Sequence, residues 1–248
     1  MTQTTTPTLL HGPVDSKRLG RTLSIDITTP HNSLVVERGS ELPRASLIVT
    51  TCARNLIEMS RNGDKLDHIL IVGTGVDPAE HPDLRNIVEN VRALRDKWFS
   101  RAKLGLVSQV TDLEDYNLRA TLAMFNRVFL PMHWGNTKLF ATWTGRKPTE
   151  LATYIKYVSG MENVTLEAQF TPGTTGNMAG TSLTHWFKKV QEAAPAEIHL
   201  LGGSPPTAKK TKMKAATKPQ RAKILEELIE KTGLVASDYD EEVLYTAS

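Results

Sequence analysis

The chain has 248 residues, 40% of them hydrophobic and 23% charged, which is enough apolar material to bury a full core. Its formal charge is +3, and the positive excess gathers between Lys209 and Lys223, a hint of an anionic partner rather than a wholly basic surface. The single cysteine, Cys52, excludes an intrachain disulfide, a thiolate zinc site and a cysteine-held iron–sulfur cluster built from this chain alone. No apolar run approaches the roughly 20 residues that cross a bilayer, and Met1–Pro7 is polar with no signal-peptide core, so no membrane association and a cytoplasmic location are expected.

In chain order, Arg21–Thr28 alternates and is rich in β-branched residues, which predicts a strand that Pro30 ends. Between Pro43 and Arg61 the apolar positions Ala45, Ile48, Val49, Cys52, Leu56, Ile57 and Met59 recur at helical spacing, and Asn62-Gly63 stops the helix. His68–Gly73 is a continuous apolar run, the mark of a strand buried on both faces, followed by a Gly/Asp/Pro loop and a helix around Pro82–Phe99. Further strands are predicted at Leu104–Gln109, Arg127–Met132, Val164–Phe170 and Glu197–Leu201. Helices are predicted at Leu113–Met124, Thr149–Ser159, Gly180–Ala193 and Pro219–Thr232. Regular alternation of strand and helix calls for a parallel sheet, in which the functional site lies on the loops at the strand carboxyl ends.

Residues 1–10 read as a disordered tail and 11–248 as one domain. That domain carries a flexible basic loop at 202–219, where the composition turns to Gly, Pro and Lys without apolar periodicity.

The stretch His11–Asp26, HGPVDSKRLGRTLSID, resembles the opening of the radical S-adenosylmethionine (SAM) proteins described as iron–sulfur oxidoreductases and related to the wyosine-forming tRNA enzymes. A second region, Ile69–Arg95, is similar to that family's strand, glycine-rich turn and helix, with Gly73, Gly75, Pro78, His81, Pro82, Asp83 and Leu84 in place. The resemblance implies a (β/α)6 partial TIM barrel of radical-SAM type. It also implies that Gly73, Gly75 and Asp77 occupy the turn with which the family grips SAM. The family's CxxxCxxC loop is absent: Ile27–Leu42 reads ITTPHNSLVVERGSEL. Val76 is extra in the turn, and Asp77 stands where the family has glutamate, which puts SAM binding in doubt; no cofactor is expected. Later family landmarks correspond here to Ser108-Gln109-Val110, Met132-His133-Trp134, Thr171–Asn177 and Gly203–Pro206, with the characteristic side chains replaced.

Asp77, His81 and His133 are the catalytic candidates at strand ends, although His81-Pro82-Asp83 reads equally as a helix N-terminus and His133-Trp134 as packing. No HxH or HxxxH spacing pairs His11, His81 or His133, so no metal site is expected. Lys209, Lys210, Lys212 and Lys214 are the candidates for contact with RNA phosphates, against the reading of a solubilising loop. The leading functional expectation is a catalytically silent radical-SAM relative that binds a small ligand or a protein partner at the barrel mouth. The alternatives are an enzyme using metal-assisted or acid/base chemistry there, and an RNA-binding accessory protein.

Overall fold

The continuous apolar runs of the sequence become the inner strands of an α/β fold, because a strand covered by helices on both sides has no polar face to alternate with. The structure, a computed structural model, describes residues 8–29, 42–178, 180–203, 205 and 213–240. Strand neighbours follow chain order from the first strand to the eighth, and the fold class is the α/β partial TIM barrel that the sequence implies. The chain divides into two compact units. The first extends to Ser108 and takes in Ala120–Val128 and Val243–Ser248; the second comprises Gln109–Arg119 and Phe129–Glu242.

The first unit opens with a hairpin. Strand β1 (Leu10–Ser16) pairs antiparallel with β2 (Gly20–Asp26), and the Ser16 hydroxyl accepts from the backbone N–H groups of Arg18 and Leu19 at 3.1 and 2.9 Å to close the turn. β1 is a strand that the sequence does not announce, because Gly12 and Pro13 interrupt its alternation and a register shift falls between His11 and Val14. Leu9, expected in the tail, is buried, and its carbonyl accepts the Asp26 N–H at 2.8 Å; structured chain therefore begins before His11. The hairpin is fastened to the next strand at its lower end. Gly20 has φ +69°, and a Cβ there would fall 2.4 Å from the Asp67 carboxylate, which instead accepts the Arg21 N–H at 2.8 Å.

Helix α1 (Ala45–Arg61) buries Ala45, Ile48, Cys52 and Leu56, and packs on α2 (Leu84–Trp98), which buries Leu84, Ile87, Val88 and Val91. Strand β3 (His68–Val72) is buried at every position. It lies parallel to β2, with Thr22 opposite His68 and Asp26 opposite Val72, and to β4 (Lys103–Val107) on its other side. This register brings the carboxyl ends of β2 and β3 level with one another.

Helix α3 (Tyr116–Leu122) begins three residues later than its apolar pattern predicts. The reason is local: the Asp112 and Asp115 carboxylates accept the N–H groups of Glu114 and Asn117 and hold the chain in turns. Strand β5 (Arg127–Pro131) follows as predicted.

In the second unit a short helix unforeseen by the periodicity, α4 (Thr137–Thr144), is framed by its caps. Asn136 Oδ1 accepts the Leu139 N–H at 2.9 Å, and Gly145 takes the left-handed conformation at φ 73°. Helix α5 (Glu150–Val158), β6 (Val164–Gln169), α6 (Ser182–Ala193) and β7 (Glu197–Leu201) follow the sequence reading closely. Helix α7 (Lys218–Thr232) starts one residue before Pro219. Ahead of it Ala216 is buried and donates its N–H to the Phe170 carbonyl at 2.7 Å, so the structured chain resumes within the segment read as a flexible loop. The four-residue β8 (Ala236–Tyr239) is parallel to β7, which is parallel to β6; it is too short for alternation to mark it.

Arg221 joins α7 to β8. Its side chain is 5% exposed; Nε donates to Asp238 Oδ1 at 2.6 Å, Nη2 to Asp240 Oδ1 at 2.8 Å and Nη1 to the Ala216 carbonyl at 3.2 Å. Removing one partner of a buried pair leaves the other uncompensated. Arg221→Ala should therefore lower the unfolding free energy by about 3 kcal/mol in urea titrations. Replacing the exposed Lys218, which also meets Asp240, should leave the urea midpoint nearly unchanged, and equal losses for the two variants would contradict this assignment.

Candidate functional site

At the carboxyl ends of β2 and β3 the chain converges on one carboxylate. Asp26 is fully buried, and its Oδ1 accepts the backbone N–H groups of Thr28, Thr29 and Thr74 at 2.9, 3.0 and 3.3 Å. Its Oδ2 accepts the Thr29 and Thr74 hydroxyls. The Thr28 hydroxyl, which donates to Oδ1 at 3.3 Å, accepts the Gly75 N–H at 3.1 Å. Burial alone would raise the pKa of Asp26, but these hydrogen bonds outweigh it and hold the carboxyl below its ordinary value of 3.8. The carboxylate is thus ionised and solvated by neutral N–H and O–H groups of its own chain.

This arrangement reassigns the glycine turn. A Gly-x-Gly turn after a strand presents backbone amides suited to an anion. Here the Thr74 amide is directed to Asp26 and the Gly75 amide to Thr28, so an internal carboxylate takes the place an external anion would have. Gly73 is required by contact, since a Cβ would lie 2.3 Å from the Val76 carbonyl oxygen and 2.7 Å from Thr28 Oγ1. Asp77 lies beyond the carboxyl end of β3, as expected. Its Oδ1 accepts the Ala79 N–H at 2.8 Å, which opens the 3-10 turn Pro78–Glu80, and the hydroxyl of the buried Ser108 at 2.7 Å.

His81 is a fastening. Its Nδ1 accepts the Asp83 N–H at 3.1 Å at the start of α2, which places the ring proton on Nε2, 3.0 Å from the Pro43 carbonyl. With both ring nitrogens engaged and only 4% of the residue exposed, His81 ties α2 to the segment before α1. Asp83 occupies the N-cap position, but its side chain makes no capping bond, and the imidazole takes the N-cap residue's own N–H.

His133 has different surroundings. It follows β5 in the second unit, is 5% exposed, and its Nδ1 accepts the Gln169 N–H at 3.1 Å. The proton of the neutral ring is therefore on Nε2, which is buried and has no hydrogen-bond partner among the described residues. Burial drives the His133 pKa down from 6.5 to about 4, so the imidazole is uncharged at neutral pH. It stands edge-on to Trp134, with ring centroids 5.9 Å apart; Trp134 in turn makes edge contacts with Phe140 and Tyr154 at 5.0 and 5.8 Å. His133 and Trp134 line a pocket of about 190 Å³ with Gln109, Thr111, Pro131, Trp143, Thr144 and Pro205. The loop beyond β6 closes beside His133, where Asn177 Nδ2 donates to the carbonyls of His133 and Gln169 at 2.9 and 2.7 Å.

No family model and no curated protein matches the chain. Among solved structures it is similar to a domain of pyruvate-formate lyase-activating enzyme from Bacteroides vulgatus ATCC 8482. That likeness has a TM-score of 0.50 at 12% identity and covers 66% of this chain and 95% of that one. It is also similar to archaeal Methanocaldococcus infernus Elp3 with an N-terminal deletion, with a TM-score of 0.50 at 11% identity, covering 80% of this chain and 53% of that one. At this identity the likenesses show a shared fold.

The cluster and cofactor that accompany the radical-SAM fold find a poor match in this chain. Cys52 is fully buried on α1, and burial pushes its thiol up to about 12, far from the thiolate that iron needs. The glycine turn is closed on Asp26. Among the described residues no group of three His, Cys, Asp or Glu side chains could hold a metal. Of the candidates for RNA contact, Lys209, Lys210 and Lys212 lie outside the described residues, and Lys214 is exposed.

Two features escaped sequence reasoning: Asp26 as the centre of the first unit, and the grouping of Gln109, Trp143 and Pro205 around His133. A carboxylate ending an otherwise buried strand is the one signal that pointed to Asp26; nothing in the spacing of Gln109, Trp143 and Pro205 reveals their proximity.

The depressed His133 pKa has a signed consequence. In the unfolded chain the imidazole takes up a proton below about pH 6.5, whereas in the folded protein it does so only near 4, so its contribution to stability is complete above 6.5 and is lost as pH falls toward 4. Between about pH 7.5 and pH 5 the parent protein should lose about 2 kcal/mol more unfolding free energy than His133→Gln in urea titrations. Parallel pH profiles for the two proteins would show that His133 takes up its proton as readily in the folded protein as in the unfolded chain.

Proposed function

We propose that this chain is a catalytically silent protein of radical-SAM fold that binds a small ligand at the carboxyl ends of its strands. The observation that carries the reading is the state of the SAM-type turn. The amides of Thr74 and Gly75 are engaged by Asp26 and Thr28, so these donors of the turn hold the fold and are not offered to an external anion. The sole cysteine supports it independently, since one buried thiol cannot replace the three thiolates that the resembled family supplies. Ligand binding is supported by the pocket beyond β5, whose lining includes Trp134, Trp143 and the His133 imidazole.

Acid/base chemistry through His81 has no support, because both of its ring nitrogens hold backbone groups.

Anaerobic incubation with iron and sulfide should leave the protein without the absorption of a four-iron cluster and without SAM cleavage. Stoichiometric iron and sulfide retained through desalting, together with reductive cleavage of SAM, would overturn the proposal.

A further inference from the structure

We infer that the amino-terminal rim of the first unit's sheet is a docking surface for the phosphate backbone of a nucleic acid. This rim lies at the other end of the strands from the candidate site, and the inference does not depend on ligand binding there.

Topology makes the rim. Thr22 of β2 stands level with His68 of β3, and His68 with Lys103 of β4. The Asn126 N–H, one residue before β5, donates to the Leu104 carbonyl at 2.9 Å. The turns that lead into the strands are tied side by side, because the Asp67 N–H donates to the Arg21 carbonyl and the Lys103 N–H to the Asp67 carbonyl, each at 2.8 Å. At the ~4.8 Å spacing of neighbouring strands, four strand starts form a rim about 15 Å long.

Cations occupy every part of it. Lys17 and Arg18 are on the hairpin turn, Lys65 on the turn before β3, Arg101 and Lys103 at the start of β4, and Arg127 at the start of β5. Lys17, Lys65, Arg101 and Lys103 are exposed and form no ion pair among the described residues. The carboxylates of the same turns and strands are directed elsewhere: Asp15 and Asp64 lie 3.7 and 3.2 Å from the Arg21 guanidinium, and Asp67 accepts the Arg21 N–H. The positive charge also reaches inward. Burial holds the pKa of His68 below its ordinary 6.5, and the charges of Arg127 and Lys103 lower it further, against the Leu19 carbonyl and Asp67.

Helix ends do not account for this charge. Cations gather at helix C-termini because the dipole favours them there, and Arg61 and Lys97, in the last turns of α1 and α2, answer to that. Lys17, Arg18, Lys103 and Arg127 stand on a hairpin turn and at strand starts instead. A protein partner is held by a buried apolar centre, and Val14, opposite Thr22 on β1, is the single large apolar side chain exposed near the rim among the described residues. A phosphate backbone needs only spaced cations, which the four strand starts present.

The test is fluorescence anisotropy of the full chain with a labelled uridine homopolymer of about 20 nucleotides, over a range of salt. The parent should bind at low salt, and the fourfold variant Lys17→Gln, Lys65→Gln, Arg101→Gln, Lys103→Gln should bind at least about tenfold more weakly. Its plot of log affinity against log salt should be flatter by up to about 3 units, since each phosphate contact with a single strand contributes about 0.7. An unmoved urea midpoint would show that the variant is folded. If it does not fold, Lys17→Gln with Lys65→Gln, on two exposed turns, should still weaken binding by about threefold or more. Replacement of Lys209, Lys210, Lys212 and Lys214 by glutamine should leave affinity close to the parent's. No binding by the parent, an unchanged salt dependence in the rim variant, or a loss at least as large in the Lys209–Lys214 variant would each overturn the inference. Equal affinity for polyglutamate of the same charge would overturn it as well, by showing that the rim takes an acidic protein.

Discussion

A buried carboxylate is stable only when hydrogen bonds replace the water it has lost, and the first unit of this protein is organised to supply them to Asp26. The donors come from two chain segments. Thr28 and Thr29 continue directly from β2, and Thr74 belongs to the turn after β3. One side chain thereby fixes the exit of both strands, and through the Thr28 hydroxyl it reaches the Gly75 amide. The close approach leaves no space at Gly73 for a Cβ, so the glycine and the carboxylate are parts of one device. Removal of Asp26 would leave the Thr74 amide and several hydroxyls without their acceptor.

The same device gives a structural role to the stretch that resembles the radical-SAM opening. The His11–Asp26 stretch forms the hairpin and ends on the carboxylate that organises the turn, so its residues have structural work to do whether or not a cofactor binds. The second unit carries a different kind of feature. His133 is held neutral by burial, and the surrounding contacts, from the Gln169 amide to the edges of Trp134 and Phe140, fix the ring and its neighbours.

Much of the architecture was legible because it rests on periodicity. The runs His68–Val72 and Arg127–Pro131 are read as buried strands from their composition alone, and α1, α2, α5, α6 and α7 from apolar spacing. What was missed lacks that signal. β1 is interrupted by Gly12 and Pro13, β8 spans four residues, and α4 is marked by Asn136 and Gly145 rather than by an apolar stripe. The site was less legible still. Asp77 and His81 were chosen as candidates because they are acid and imidazole near a strand end. Their roles as a turn cap and a helix fastening depend on Ser108 and Pro43, residues distant in sequence. His133 was legible as a position beyond a strand end, but its neutral state follows from burial that no single segment encodes.

The claim most open to direct measurement is that Asp26 is the ionised anion of the turn. Following its side-chain carboxyl carbon resonance by NMR as the protein is acidified should give a midpoint below the ordinary 3.8, with the Thr74 amide resonance moving in step as its acceptor is protonated. A midpoint above 3.8, or a Thr74 amide indifferent to the titration, would mean that burial dominates, that the carboxyl is not held as an anion by the turn, and that the turn is free for an external one.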